Sequence, residues 1–334
     1  ERFCHNFEGE FIELKLDSPL CLNPFSSIES AEMLDEYLEF LISLFLLMGG
    51  SKSQEMAARQ EKVLRSHLTD AIRKAYEKYG SDSSIEAVVS ELEGIEDDRV
   101  KDFVVSMAPY RTEGQFGMFF NGTADITFHS PLVVMENDTI ENLPDLRDPC
   151  IMLLTYHIMK NVYLQHGRQK NVVIIDEAHK FLGNPKINLF MEQAYRRFRK
   201  HGASMIIGTQ GFEDIWRDGK SDVGRVIIEN SFWKMFLMQT STSRNSLKKS
   251  ERLTLSNYEE RLMDTTRTLA GEYSEVFICS ENGSEKVRLI LSDLMKAMFF
   301  TNPEIRAKIN ELVKQGMSYK DAVKEVQKLI GGKK

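Results

Sequence analysis

The 334-residue sequence predicts an α/β fold organised around a parallel sheet, and three stretches predict it. The first is Asn171-Val172-Val173-Ile174-Ile175, whose four consecutive β-favouring aliphatics read as a strand buried on both faces. A helical stretch, Lys186 to Lys200, comes next. The third is a second strand, Ala203-Ser204-Met205-Ile206-Ile207-Gly208-Thr209-Gln210. Strand, helix and strand compose a right-handed βαβ unit, which brings the carboxyl ends of both strands to one sheet edge.

That edge is where open α/β sheets bind ligands. Asp176-Glu177 closes the first strand there and Gln210 closes the second. An Asp can hold the hydrated Mg²⁺ that bridges nucleotide phosphates, and the next carboxylate can orient or deprotonate the attacking water. Four aliphatics before such a pair form a Walker B pattern, and an amide at Gln210 would sense a γ-phosphate or a water. The plain alternative is a strand followed by a solvated turn.

Composition is ordinary for a globular chain, with 42% hydrophobic and 28% charged residues. A formal net charge of −7 argues against a protein that coats nucleic acid, while leaving room for a local basic surface. Cys4, Cys21, Cys150 and Cys279 show neither metal-ligand spacing nor a disulfide framework, which fits a reducing, cytoplasmic setting. No secretory signal is visible, and the most apolar run, Phe40 to Met48, is far short of the ~20 residues of a spanning helix. The expectation is a membrane-peripheral protein at most, held by partners, and a piece of a longer chain, since it starts at Glu1 without Met.

Taken in order, Ile12, Leu14 and Leu16 alternate with Glu13 and Lys15 as a half-buried strand, and Pro19 and Asn23-Pro24-Phe25 punctuate the loop after it. Ser30 offers an N-cap for a helix to about Met48, stopped by Gly49-Gly50. Gln54 to Tyr79 reads as an amphipathic helix with Leu64, Leu68, Ile72 and Ala75 at helical spacing. Ile85 to Leu92 and Asp102 to Thr112 predict two more helices, and Gly114 to Gly122 a loop. His67, His129 and His157 stand alone and read as non-catalytic. Phe128 to Val134, broken by Pro131, predicts an edge strand, and Ile151 to Gln165 an apolar helix. Beyond Gln210, residues 211–221 are polar, Val226 to Asn230 closes a short helix and Phe232 to Met238 alternates as a strand. Leu247 to Ala270 is charged and helical. Tyr273 to Cys279 and Val287 to Leu291 read as a hairpin around Asn282-Gly283, a pair that suits a type I′ turn. Residues 301–334 hold eight Lys or Arg against four Asp or Glu, either a solvated helical tail or a docking or nucleic-acid-facing arm.

Two further features bear on the site. Tyr195-Arg196-Arg197-Phe198-Arg199-Lys200-His201-Gly202 ends the helix with four cations, which suits the negative end of the helix dipole. Arg199 and then Arg197 are also candidates to reach a neighbouring subunit's γ-phosphate, because the planar guanidinium binds phosphate oxygens bidentately. The phosphate-cradling template G-x-x-x-x-G-K-[ST] has no match. Gly219-Lys220-Ser221 has the right ending but Asp214 in the first glycine position, and Gly49-Gly50-Ser51-Lys52-Ser53 fails the spacing. Asp-Glu-Ala-His also matches the tetrad of a helicase group, without that group's companion motifs.

These residues resemble the VirB-type conjugative and type IV secretion ATPases. The resemblance rests on Leu22-Asn23-Pro24-Phe25 after a strand, the Gly114 to Gly122 loop and Val173-Ile174-Ile175-Asp176-Glu177-Ala178. Arg199-Lys200-His201-Gly202 leading into Gly208-Thr209-Gln210, and Glu229-Asn230-Ser231 before a strand, complete it across most of residues 11–291. It implies a RecA-like core of the HerA/FtsK superfamily with a mostly helical insertion, its first strand and P-loop lying before Glu1. The division it implies is 1–27 for the start of the motor core, 28–150 for the insertion, 151–300 for the core with both sheet strands, and 301–334 for a basic helical tail. It further implies ATP and Mg²⁺ as ligands, Asp176 acting on the metal through water, Glu177 on the attacking water, Gln210 as sensor and Arg199 or Arg197 in trans. Its implied setting is a homo-hexamer at the cytoplasmic face of a bacterial inner membrane, beside other type IV secretion subunits and a coupling protein, powering pilus assembly and DNA or protein transfer. The rival readings are a DNA-translocating motor of the same superfamily and a non-catalytic scaffold, the latter for this stretch alone.

Overall fold

The computed structural model describes residues 2–17, 20–50, 57–124, 130–164, 170–180, 182, 185–216, 223–250, 252–299 and 302–331. The chain forms two compact units, one of residues 1–11, 129–134 and 170–334, the other of residues 12–128 and 135–169. The first carries the βαβ unit and the second is largely helical. The predicted decoys at 51–53 and 219–221, Pro19 and His129 lie outside the described residues.

Helix α1 (Arg2–Phe7) precedes β1 (Glu10–Glu13), which pairs with β2 (Val133–Glu136). The predicted strand at 12–16 is therefore shorter and shifted toward the start of the chain. Leu14 leaves the strand and buries its side chain while its N–H still bonds Glu136 C=O at 2.9 Å.

The helical unit follows from its caps. Ser30 accepts the Met33 N–H and starts α2 (Ala31–Met48), which stops at Gly49 as the glycine pair predicts. Helix α3 (Ala57–Tyr79) buries Leu68, Ile72 and Ala75, and Ser84 caps α4 (Ile85–Leu92). Helix α5 (Asp98–Ser106) begins four residues before the predicted Asp102, because the Asp97 carboxylate accepts the Arg99 N–H. A 3₁₀ turn with Pro109 (Ala108–Tyr110) ends that run early.

Helix α6 (Pro144–Leu164) begins seven residues before the predicted Ile151 and runs through Pro149. A proline inside a helix leaves the carbonyl four residues back without its donor. That carbonyl is Asp145 C=O, and the Tyr110 hydroxyl donates to it at 2.6 Å. The continuity of α6 is thus a tertiary effect that local sequence does not show. The helix lies in the helical unit, whereas the sequence division placed residues from 151 onward with the sheet.

Asn23 fastens three loops of this unit. Its buried amide donates to Ser83 C=O at 2.8 Å and Gly122 C=O at 2.7 Å, and its oxygen accepts the Phe25 N–H at 3.0 Å. Asn121 repeats the device, accepting from the Glu86 N–H at 2.8 Å and donating to Tyr110 C=O at 2.8 Å and Gly117 C=O at 3.1 Å. Phe25, Phe119 and Phe120 fill the core behind these loops.

In the other unit, β3 (Asn171–Ile175), α7 (Pro185–Arg197) and β4 (Ala203–Ile207) form the predicted βαβ unit, with the strands parallel and Ile175 opposite Ile207. The expectation of burial on both faces is corrected. Ile175, Met205 and Ile207 pack with Ile187, Met191 and Ile227, the last from α8 (Val223–Asn230), but Val172 is 60% and Ile174 68% exposed. A run of aliphatics does not reveal how many layers cover it.

Strand β5 (Lys234–Phe236) is the short core of the predicted 232–238 strand. The predicted single helix over 247–270 is two, α9 (Ser241–Ser250) and α10 (Asn257–Asp264), because Ser256 forms a capping box with Glu259 and restarts the helix. The last residues of that stretch enter a strand, β6 (Thr268–Leu269), which pairs with β7 (Tyr273–Ser280). Strand β7 also pairs antiparallel with β5 and with β8 (Gly283–Leu289). The hairpin is as expected but its turn is not type I′: the positive φ falls on Gly283 (129°), and neither Glu281 nor Asn282 shares it. Finally α11 (Asp293–Phe299), α12 (Pro303–Lys314) and α13 (Tyr319–Gly331) bury Ala297, Ile309, Ala322, Val323 and Val326 together, so the basic tail has a small core rather than being solvated all round. All four cysteines are buried free thiols, and no helix among the described residues is long and apolar enough to cross a membrane.

Two predictions concern the helical unit. Asn23→Ala leaves the buried Ser83 carbonyl and Phe25 N–H without this partner, and Gly122 C=O to solvent, so stability should fall by about 2 kcal/mol in urea unfolding followed by far-UV circular dichroism; an unchanged midpoint would refute the fastening role. His157 is buried on α6 with Nε2 unpaired among the described residues; burial, and then the Lys160 charge, lowers its pKa to about 4. The folded imidazole therefore stays neutral while the unfolded one takes a proton, so this stabilisation is complete above pH 6.5 and lost as pH falls toward 4. The loss should approach about 3 kcal/mol, and His157→Leu should flatten the stability profile across that window.

Candidate functional site at the strand ends

The site is built by a ladder that outlasts its strands. Beyond the Ile175–Ile207 pair, Gly208 N–H donates to Ile175 C=O at 2.8 Å and Ala178 N–H donates to Gly208 C=O at 3.0 Å. The two chain segments leaving the sheet are thereby held side by side, Asp176-Glu177 on one and Thr209-Gln210 on the other. Gly208 permits the approach: a Cβ there would lie 2.7 Å from Asp176 Oδ1.

Asp176 is exposed, and its Oδ1 accepts the Glu177 N–H at 2.9 Å. Glu177 adopts a left-handed backbone, φ 50°, a conformation that costs a residue with a Cβ about 1–2 kcal/mol. The turn sends its carboxylate across to the neighbouring segment. There Gln210 Nε2 lies 3.0 Å from both Oε1 and Oε2. Glu177 C=O accepts the Lys180 N–H at 2.9 Å, starting a 3₁₀ turn (Ala178–Lys180) that places His179 Nε2 3.4 Å from Oε2.

The Gln210 loop is also fixed. Thr209 Oγ1 donates to Gly211 C=O at 2.6 Å, and Gly211 N–H donates to Asp214 Oδ2 at 2.9 Å. The 3₁₀ turn that follows (Phe212–Trp216) is tied down through Glu213, which accepts from Ser246 Oγ at 2.8 Å and pairs with Arg252 at 3.1 Å. The Arg252 guanidinium lies 4.6 Å over the Trp216 ring.

The structure thus gathers Asp176, Glu177 and Gln210 and adds His179, which the sequence reading passed over. The Asp-Glu-Ala-His spacing was the available signal, since a tight turn can bring side chains two residues apart together. Arg197 and Arg199 are not brought to this cluster within the chain. Helix α7 ends at Arg197, a 3₁₀ turn (Phe198–His201) carries Arg199, and Gly202 leads into the start of β4. In a parallel pair that start is the opposite sheet edge, separated from the Gly208-Thr209-Gln210 segment by the five-residue strand, about 17 Å long. Both arginines are exposed there.

Asp176 suits a hydrated divalent cation, since one oxygen is engaged by the backbone and the side chain faces solvent. Among the described residues no group of three or more His, Cys, Asp or Glu could cage a metal. A separate polar cavity of about 560 Å³ on the antiparallel sheet is lined by Thr265, Arg267, Glu275, Lys286 and Arg288 and shares no residue with the acidic pair. Burial would raise the Glu275 carboxyl pKa, but hydrogen bonds from Lys286 and the Arg267 N–H, the Lys286 charge and a hydrogen bond from Arg288 hold it below the usual value.

A family model, the TraG P-loop domain, matches residues 1–330. Protein TraC of Escherichia coli (strain K12) is 24% identical over 342 residues, covering 96% of this chain and 37% of TraC. The chain therefore spans little more than a third of that relative's length. Among solved structures, VirB4 of Thermoanaerobacter pseudethanolicus matches with a TM-score of 0.63 at 15% identity, over 92% of this chain and 80% of that one. Plasmid coupling protein TrwB in complex with ADP and Mg²⁺ matches with a TM-score of 0.55 at 12% identity, over 86% and 75%. Both likenesses speak to the fold, an α/β P-loop NTPase core of RecA type.

Gly208→Ala should force the two segments apart or shift Asp176. We expect a loss of about 1–3 kcal/mol in urea unfolding, read from the fluorescence of Trp216 and Trp233, both in this unit. Wild-type stability would mean that the close approach is not a constraint.

Proposed function

The chain belongs to the TraG P-loop domain family, the VirB4/TraC-type conjugative ATPases, and on that premise we propose that its strand-end cluster serves ATP hydrolysis in the intact protein, which supplies the P-loop this stretch lacks, to drive a type IV secretion system. The observation that carries this reading is the cross-strand contact of Gln210 with Glu177 beside an exposed Asp176.

In this reading Asp176 holds Mg²⁺ through water, and the cation supplies charge that offsets the phosphate oxygens. Glu177 orients the attacking water and accepts its proton, which requires a carboxylate oxygen free of Gln210. Gln210 is suited to the sensor role because its amide now occupies both oxygens of the group that must act. A γ-phosphate or water that draws the amide away frees Glu177 at the same moment. Arg199, or Arg197, lies on the edge remote from its own acidic pair, so its proposed target is the phosphate of a neighbouring copy. That implies an oligomer, for which we propose the hexamer.

The wider proposal is a bacterial motor at the cytoplasmic face of the inner membrane, held there by other secretion subunits and acting in pilus assembly and DNA or protein transfer. Its support is the family and the relationship to TraC.

In the intact protein, Glu177→Gln should leave ATP binding within about twofold and lower turnover by about 10²-fold or more. Steady-state phosphate release and equilibrium nucleotide binding measure the two quantities. Unchanged turnover would remove Glu177 from the chemistry.

A further inference from the structure

We propose that His179 is a positioning residue for Glu177: it keeps the carboxylate aimed when Gln210 turns to the nucleotide. The inference rests on the reading of Glu177 as the group that acts on the attacking water, and goes one residue beyond it.

Gln210 cannot serve both tasks without loss. Its Nε2 is 3.0 Å from each Glu177 oxygen, and a move toward a phosphate oxygen or a water gives up at least one of those contacts. The carboxylate would then be a charged group on a flexible side chain that is 36% exposed. Holding a reacting group in line is worth orders of magnitude in rate, and freedom of this kind erodes it. Among the described residues, the other side chain against the carboxylate is His179, with Nε2 at 3.4 Å from Oε2, a distance that a small side-chain rotation closes to a hydrogen bond.

The imidazole is well placed to stay when Gln210 leaves. Its side chain is 11% exposed and sits in a turn whose first residue, Ala178, is buried and bonded to Gly208 C=O at 3.0 Å. The turn opens with the Lys180 N–H to Glu177 C=O bond, so ring and carboxylate hang from one short, closed loop. The other ring nitrogen, Nδ1, is buried with no hydrogen-bond partner among the described residues. Of the two neutral tautomers, the one with the proton on Nε2 suits this surrounding better. A proton on Nδ1 would leave a buried donor unpaired and turn the Nε2 lone pair against a carboxylate, whereas a proton on Nε2 points a donor at Oε2.

The left-handed backbone of Glu177 makes this support necessary. At φ 50° the main chain aims the side chain across to the Gln210 segment, and without a second donor nothing in the turn itself keeps the carboxylate there.

The test uses the intact protein and separates this inference from the one beneath it. His179→Leu keeps the volume and removes the donor; His179→Gln keeps an N–H near the position of Nε2. We expect His179→Leu to lower kcat for ATP about 10- to 100-fold with KM changed less than about twofold, and His179→Gln to recover most of that loss. We also expect the Glu177→Gln/His179→Leu double variant to be no slower than Glu177→Gln alone. Wild-type kcat in His179→Leu overturns the proposal, as does a Gln variant as slow as the Leu variant, or a double variant slowed by the product of the single losses. If His179→Leu unfolds, as shown by its thermal midpoint, the Gln variant decides between rescue and failure. Full turnover in Glu177→Gln would overturn the underlying reading as well.

Discussion

The in-register pairing of two parallel strands is the constraint on which the site depends. Asn171 faces Ala203 and Ile175 faces Ile207, so both strands end level, and the ladder continues through Gly208 to Ala178. A slip by one residue would turn every strand side chain to the other face and part Asp176-Glu177 from Gln210. Glycine at 208 lets the pairing persist past the strand ends. The same pairing explains why Arg197 and Arg199 stand apart, since a parallel connection returns to the starting edge before the second strand begins.

What the sequence revealed and what it hid divide along physical lines. Caps, breakers and buried apolar positions act locally, and they placed α2 and α4 to within a residue. Elements whose ends rest on distant partners were misplaced. Helix α6 runs through Pro149 because Tyr110, in another segment, occupies the orphaned carbonyl. The C-terminal helices look like a basic tail until their sparse apolar residues, Ala297, Ile309 and Val323 among them, meet in space. Of the site, the juxtaposition of Asp176, Glu177 and Gln210 followed from strand ends alone. The left-handed turn at Glu177 and the approach of His179 did not, because both depend on backbone angles that propensity does not report.

The asparagines show how a motif can be informative without being part of a site. Asn23 lies in the Leu-Asn-Pro-Phe stretch and Asn121 in the Gly114 to Gly122 loop, two stretches that carried the family resemblance. Both are spent on main-chain groups, those of loops and, at Glu86, of the first turn of α4. An amide offers two donors and an acceptor on a short stem, so one side chain can fasten three segments. A hydrophobic substitute would fill the space and leave those groups unpaired.

The cluster at the strand ends is balanced rather than rigid. The left-handed turn costs about 1–2 kcal/mol, and each hydrogen bond to a charged carboxylate returns about 1.5–3 kcal/mol, less where solvent screens it. Glu177 is partly exposed, so the balance between its held and released positions lies within a few kcal/mol. A ligand shifts such an equilibrium by the difference in its affinity for the two positions, and in the proposed cycle a phosphate that draws the Gln210 amide would bias it toward release. A more deeply buried or more heavily bonded Glu177 would cost too much to release. One with no partner would gain nothing from the arrival of nucleotide. In the proposed cycle, a partly exposed carboxylate held by the Gln210 amide and, once that amide turns away, by the His179 imidazole would lie between those limits, where binding could be converted into the placement of a single group.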